Sequence, residues 1–126
     1  LITPNETEAE LICGQKITDI DSVTKAANLI KAKGVKNVII TMGSKGAFVC
    51  TDTICELVPS YKVKAVDTTG AGDIFNGALV LAISEGRDWI EATRFACKTS
   101  AIAVTRIGAQ SSAPYRNEVD VFNPEK

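Results

Sequence analysis

Asp67-Thr68-Thr69-Gly70-Ala71-Gly72-Asp73 leads directly into Ile74-Phe75-Asn76-Gly77-Ala78-Leu79-Val80-Leu81-Ala82. Gly70, Ala71 and Gly72 carry little or no side chain, so backbone there could approach a ligand closely. The apolar run behind them predicts a helix, and free N–H groups at a helix start favour anions, phosphate above all. Asp73 falls at that start. A carboxylate that accepts a substrate proton beside an anion hole is what phosphoryl transfer to an alcohol requires. The same residues also make a plain glycine loop with an acid that complements a helix dipole. The short pattern by itself does not separate the two.

Three further groups could serve such chemistry. Asn5 and Glu8, three residues apart at a predicted helix start, could hold the water shell of a magnesium ion, which keeps most of its waters and needs few protein groups. They also have the spacing of a helix cap, Asn at the N-cap and Glu at N3, and the two roles are compatible. Thr41-Met42-Gly43-Ser44-Lys45-Gly46 follows the clearest strand, beyond whose carboxyl end ligands of open α/β sheets bind. Its N–H groups with Thr41, Ser44 and Lys45 could meet nucleotide phosphates, or form a hairpin turn with a solvated lysine. It is not a Walker A loop. Finally, residues 103–112 leave a helix for a loop, where unpaired carbonyls together with Asp67 could coordinate a monovalent cation such as potassium. A simple C-terminal cap reads equally from that stretch. Cys97 sits mid-helix among small residues, as a buried structural thiol would.

Absences narrow the chemistry. The 126 residues contain no histidine, which removes Ser-His-Asp and Cys-His catalysis and makes a conventional zinc site improbable. Any base must be a carboxylate, lysine, cysteine or tyrosine. Fourteen basic residues balance fifteen acidic ones, so no basic face for nucleic acid is implied. No apolar run reaches the length of a membrane span, and no signal peptide is visible. Cys13, Cys50, Cys55 and Cys97 lack C-x-x-C spacing. Reduced thiols in a cytoplasmic protein are the simplest expectation for them, though spacing leaves disulfides open. The chain opens on Leu1 and reads as a piece of something longer.

The elements that must position these groups alternate helix and strand, an α/β layer grammar in a single domain. A helix is expected from Glu6 to Cys13, closed by Gly14. A second should begin near Asp21 or Ser22, bury Val23, Ala26, Ala27, Leu29 and Ile30, and end at Lys33-Gly34. Residues 35–41 read as a strand covered on both faces. After the turn at 43–46, residues 47–51 and 54–58 read as short strands, and 61–66 as extended chain delivering the loop at Asp67. The helix after Gly72 should run to about Glu85 and stop at Gly86. Asp88 to Glu91 has capping-box spacing and should start a helix to about Thr105. Residues 108–114 read as irregular and 115–122 as a short helix.

Taken together, these blocks resemble the phosphofructokinase-B-type (ribokinase-type) carbohydrate kinases. Asp67-Thr68-Thr69-Gly70-Ala71-Gly72-Asp73 with Phe75-Asn76-Gly77-Ala78 matches that family's C-terminal signature. Pro4-Asn5-Glu6-x-Glu8-Ala9, Thr41-x-Gly43-Ser44-x-Gly46 and Val66-Asp67-Thr68 agree, and Gly108-Ala109-Gln110-Ser111-Ser112 points to its ribose-phosphorylating branch. The resemblance covers essentially the whole chain. It implies an α/β fold of three layers, Rossmann-like, of which residues 1–126 would be the C-terminal nucleotide-binding and catalytic part, with the N-terminal sheet and β-lid missing. It implies ATP-dependent phosphorylation of D-ribose at its 5-hydroxyl by the parent protein, in the cytoplasm and as a homodimer. Another sugar or nucleoside kinase of the family, such as a fructokinase, or a non-catalytic nucleotide-binding fragment, are the alternatives.

On this resemblance Asp73 would be the base that takes the hydroxyl proton, and Gly70, Ala71, Gly72 and the Asp73 N–H the anion hole. Asn5 and Glu8 would act on Mg-ATP. Thr41, Gly43, Ser44, Lys45, Gly46 and Gly72 would contact the nucleotide. Asp67, Thr69, Ala103, Arg106, Gly108 and Ser112 match the activating potassium site, several of them through backbone carbonyls. Cys97 stands where the family usually carries Asn or His near the adenine. A complete family member is more than twice as long, and its N-terminal part supplies the lid and most sugar contacts. The chain alone is therefore expected to lack sugar-binding capacity.

Overall fold

The computed structural model describes residues 1–61 and 71–105, the side chain of Ser44 excepted. These fall into two compact units, one of residues Leu1–Val58 and one within Pro59–Lys126.

In the first unit, helix α1 (Glu6–Cys13) starts where Asn5 stops the extended chain. The Asn5 carboxamide oxygen accepts the Glu8 N–H at 2.8 Å, and the Glu8 carboxylate accepts the Asn5 N–H at 2.9 Å. Two orphan donors are thus satisfied reciprocally. Gly14, at φ 70°, closes the helix in the left-handed region that glycine enters freely. Helix α2 (Ile20–Ala32) begins one residue before the expected start, because Asp19 is the N-cap and accepts the Ser22 N–H at 2.8 Å. That bond, followed by the one with the Ser22 side chain, holds the Asp19 carboxyl below its usual value. Val23, Ala26, Ala27 and Ile30 form the buried stripe, at the i, i+3, i+4, i+7 spacing of one helix face. Leu29 was expected on this stripe, but it lies just off it and is 36% exposed.

Strands β1 (Val38–Thr41), β2 (Ala47–Cys50) and β3 (Cys55–Val58) form an antiparallel meander in the order β1-β2-β3. Val38 faces Cys50 and Thr41 faces Ala47; Ala47 in turn faces Val58, and Cys50 faces Cys55. β1 is shorter than the expected 35–41 because its partner β2 ends at Cys50, opposite Val38. On its other side β1 meets the amino-terminal segment in parallel, through bridges Ile2↔Val38 and Asn5↔Thr41. The Ile39 and Thr41 N–H groups donate to the Ile2 and Pro4 carbonyls at 3.0 and 2.9 Å. Alternation sorts the side chains. Val38, Ile40, Phe48 and Cys50 join Ala9, Val23, Ala26, Ala27 and Ile30 in one core. Ile39 and Val49, of opposite parity, are equally buried, so β1 is covered on both faces as its unbroken apolar run predicts.

Cys50 and Cys55 are joined by a disulfide across the β2–β3 pair, with Cα atoms 4.2 Å apart. This replaces the expectation of four reduced thiols; Cys13 and Cys97 are free.

In the second unit, α3 (Ala71–Ser84) and α4 (Trp89–Ala103) pack on each other. α3 begins two residues earlier than expected and takes Ala71 and Gly72 into its first turn. Gly86, at φ 86°, ends the connection, and the Asp88 carboxylate then caps α4 by accepting the Glu91 N–H at 2.8 Å. α4 stops at Ala103, two residues short of the expected end. Its small residues let it bury much of its surface, Ala92, Ala96 and Ala101 among them. Buried Thr93 and Thr99 donate their hydroxyls to the carbonyls of Trp89 and Phe95 at 2.7 and 2.8 Å, so neither leaves a polar group unpaired. Arg87 lies over the Phe95 ring, 4.7 Å from its centroid. The expected extended chain at 62–66, the irregular segment at 108–114 and the helix at 115–122 lie outside the described residues.

Candidate active site

The parallel bridge between Asn5 and Thr41 joins two groups that are 36 positions apart in sequence. It places the start of α1 and the loop after β1 side by side, at the carboxyl ends of two parallel extended segments. That is the edge where open α/β sheets take ligands. Asn5 and Glu8 are committed to the capping box there, and each side chain keeps further polar atoms beyond those bonds. Among the described residues no three His, Cys, Asp or Glu side chains cluster as direct metal ligands.

The loop after β1 is a single 3₁₀ turn, Gly43–Lys45. The Met42 N–H donates to the Gly46 carbonyl at 2.8 Å, and the Gly46 N–H returns to Gly43 at 3.1 Å. Gly43 at φ 58° and Gly46 at φ 112° take conformations that L side chains rarely adopt. Lys45 is exposed, with its ammonium 3.9 Å from the Glu6 carboxylate, a surface pair of small energetic weight. The turn holds its shape through backbone bonds and leaves Lys45 in solvent.

In the second unit Ala71, Gly72 and Asp73 form the first turn of α3. Gly72 and Asp73 are exposed. Among the described residues, a methyl group added at Gly72 would meet nothing within 4 Å. Sequence reading missed a residue here. The Ser100 hydroxyl, on α4, donates to the Ala71 carbonyl at 3.3 Å and ties the first turn of α3 to the neighbouring helix. Only the spacing of a serine among small residues on α4 could have flagged it. One turn beyond Asp73, the Asn76 carboxamide oxygen is buried with no hydrogen-bond partner among the described residues. Cys97 is 4% exposed in α4, and burial pushes its thiol from 9.0 up to about 12, which keeps it protonated and inert. Ala103 is the last, buried residue of α4. Asp67, Thr69, Gly70, Arg106, Gly108 and Ser112 lie outside the described residues.

The two units thus carry a helix N-terminal turn with Gly-Asp, and a glycine turn at the carboxyl end of β1. The pfkB family carbohydrate kinase pattern matches residues 1–116, and the chain belongs to that family. It is 47% identical over 122 residues to the ribokinase of Haemophilus influenzae, covering 97% of this chain and 40% of that protein. It is 41% identical to the ribokinase of Staphylococcus aureus, covering 95% and 40%. Two solved structures share the fold. The ribokinase of Thermotoga maritima superposes with a TM-score of 0.85 at 48% identity, over 94% of this chain and 40% of that one. The ribokinase of Arabidopsis thaliana, complexed with ribose and ATP, superposes with a TM-score of 0.89 at 33% identity, over 93% and 38%. The chain thus spans about 40% of the length of the curated relatives it matches.

Among the described residues no helix is long and apolar enough to cross a membrane.

Proposed function

We propose that the complete protein carrying these residues transfers the γ-phosphoryl group of ATP to the 5-hydroxyl of D-ribose. Asp73 takes the hydroxyl proton as the new P–O bond forms. The Gly70 N–H, with the N–H groups of Ala71, Gly72 and Asp73, stabilises charge on the transferring phosphoryl oxygens. Thr41, Gly43, Ser44, Lys45 and Gly46 hold the nucleotide, with Cys97 beside the adenine. Magnesium, when bound, neutralises phosphate charge, and Asn5 and Glu8 orient its water shell. Asp67, Thr69, Ala103, Arg106, Gly108 and Ser112 would hold an activating potassium ion, several of them through backbone carbonyls. The reaction belongs to the cytoplasm and to a homodimer, with no nucleic acid or membrane as partner.

The observation that supports this reading is Asp73, an exposed carboxylate in the first turn of α3, where free N–H groups favour an anion. The 39% identity to the deoxyribokinase of Salmonella typhi makes deoxyribose the second substrate to test; a fructokinase activity is the third. The experiment is a coupled kinase assay on the complete protein with ribose, deoxyribose and fructose, with and without potassium. Asp73→Asn should lower kcat by roughly 10² or more with ribose. Full activity in that variant refutes the assigned base, and a higher kcat/KM for another sugar refutes the substrate. Calorimetry of residues 1–126 with an ATP analogue distinguishes a nucleotide-binding fragment from one that binds nothing.

A further inference from the structure

The cysteine pair lies outside the site described above. Cys50 ends β2 and Cys55 begins β3, directly opposite each other, at the end of β2 remote from Gly46. The two sulfurs sit in different surroundings. Cys50 is fully buried in the α1–α2 core, while Cys55 is exposed to solvent. The turn between them holds itself closed without help from the S–S bond. The Thr51 N–H donates to the Ile54 carbonyl at 2.7 Å, and the Thr51 hydroxyl oxygen accepts the N–H groups of Thr53 and Ile54 at 3.3 and 3.2 Å. From α2, Lys31 reaches over and donates its ammonium to the Thr51 carbonyl at 2.8 Å. The pair therefore stays in register when reduced. The reduced form is also provided for, since Asn28 Oδ1 lies 3.9 Å from Cys50 Sγ as an acceptor for its S–H.

From this juxtaposition we infer that Cys50 and Cys55 form a reversible thiol–disulfide exchange site for small-molecule disulfides of the glutathione type, with Cys55 the attacking sulfur and Cys50 the resolving one. In the oxidising direction the Cys55 thiol loses its proton, and the thiolate attacks one sulfur of the disulfide. A Cys55–glutathione bond forms, and the first glutathione leaves as a thiolate that takes up a proton. The Cys50 thiol then loses its proton and attacks Cys55 Sγ. The Cys50–Cys55 bond forms, and the second glutathione leaves with a proton. Two protein thiols are oxidised by two electrons, and one disulfide is reduced to two thiols. The reverse sequence begins with an external thiolate on exposed Cys55. Neither remaining cysteine competes: Cys97 is buried and protonated, and Cys13 faces no second cysteine across a strand pair.

The test equilibrates the complete protein in buffers of graded reduced-to-oxidised glutathione ratio, quenches with an alkylating reagent and maps peptides by mass spectrometry. The Cys50–Cys55 link should appear and disappear smoothly with the ratio, while Cys13 and Cys97 remain unlinked. Cys50→Ser, and Cys50→Ala where the serine variant fails to fold by circular dichroism, should accumulate one glutathione on Cys55. Cys55→Ser should leave Cys50 unmodified. In the reduced wild type, phenylarsine oxide should bridge both sulfurs with loss of one water. The inference is overturned if the pair stays reduced at the most oxidising ratio, if it resists reduction at the most reducing one, or if Cys50 collects glutathione while Cys55 does not. None of these outcomes depends on kinase activity, so the two readings fail separately.

Discussion

Asn5 and Glu8 can be separated into a stability role and a catalytic role, because the capping box supplies variants that keep one and remove the other. Asn5→Ala deletes the 2.8 Å bond to the Glu8 N–H and leaves a donor of the first turn to water. An N-cap replaced by alanine costs about 1 kcal/mol. Little else is lost, because Asn5 is exposed and the backbone bonds of the Asn5↔Thr41 bridge do not involve its side chain. Asn5→Asp should stay within about 0.5 kcal/mol of the parent, since Asp caps as well as Asn. Glu8→Gln keeps the box, as Gln accepts the Asn5 N–H in the same way, but removes the charge. Urea denaturation should therefore rank Asn5→Ala lowest and leave Asn5→Asp and Glu8→Gln near the parent. Magnesium titration of the kinase assay should reverse the order for Glu8→Gln, whose half-saturating magnesium should rise several-fold at unchanged stability. If Glu8→Gln titrates like the parent, Glu8 is a cap and nothing more. If Asn5→Ala unfolds at the parent's urea midpoint, the capping argument itself is wrong.

Other perturbations have equally definite outcomes. Gly43→Ala meets no atom within 4 Å but must hold φ 58°, so it should cost about 1–2 kcal/mol in urea denaturation through the left-handed backbone alone, with Gly43→Asn losing less. Ser100→Ala removes the bond to the Ala71 carbonyl; stability should fall by about 1 kcal/mol and kcat should fall more than KM changes, as expected of a positioning residue. Cys97 is protonated in the folded state up to about 12 but ionises from 9.0 when exposed. Above pH 9 the unfolded chain therefore binds fewer protons than the folded one, and stability should fall with a slope of up to about 1.4 kcal/mol per pH unit between those values. Cys97→Ala should flatten that slope in alkaline denaturation curves.

Much of this was legible in the residues because it is local. Asn5 with Glu8, Asp88 with Glu91 and Gly14 are recognised by spacing of three or by a single conformational need, and each marks a helix end within a residue or two. The glycine turn after β1 is read in the same way. Leu29 shows the limit of local pattern, since its neighbours Ala26 and Ile30 define a stripe whose edge falls between adjacent positions. The cysteine pair was within reach but not drawn out: a strand ending near 51 and another starting at 54 put 50 opposite 55. The Asn5↔Thr41 bridge and the Ser100 bond to Ala71 were not legible, because nothing in a sequence states which distant backbones meet.

The meander has a consequence for how the first unit comes to be folded. Its strand pairs close over very short stretches of chain, Cys50 with Cys55 and Thr41 with Ala47, and the 51–54 turn is held by three hydrogen bonds of its own. Short loops lose little entropy on closing and form hairpins in microseconds. The parallel bridge from Asn5 to Thr41 must instead wait for all of α1 and α2 to be threaded between them. The amino-terminal segment should then dock late, after the transition state, on a hairpin already made. Substitutions at Val49 and Leu57 should slow refolding, whereas those at Ile2 should mainly speed unfolding. The residue pair that assembles the proposed magnesium and nucleotide edge is, by this order, the last part of the unit to form and the first to come apart.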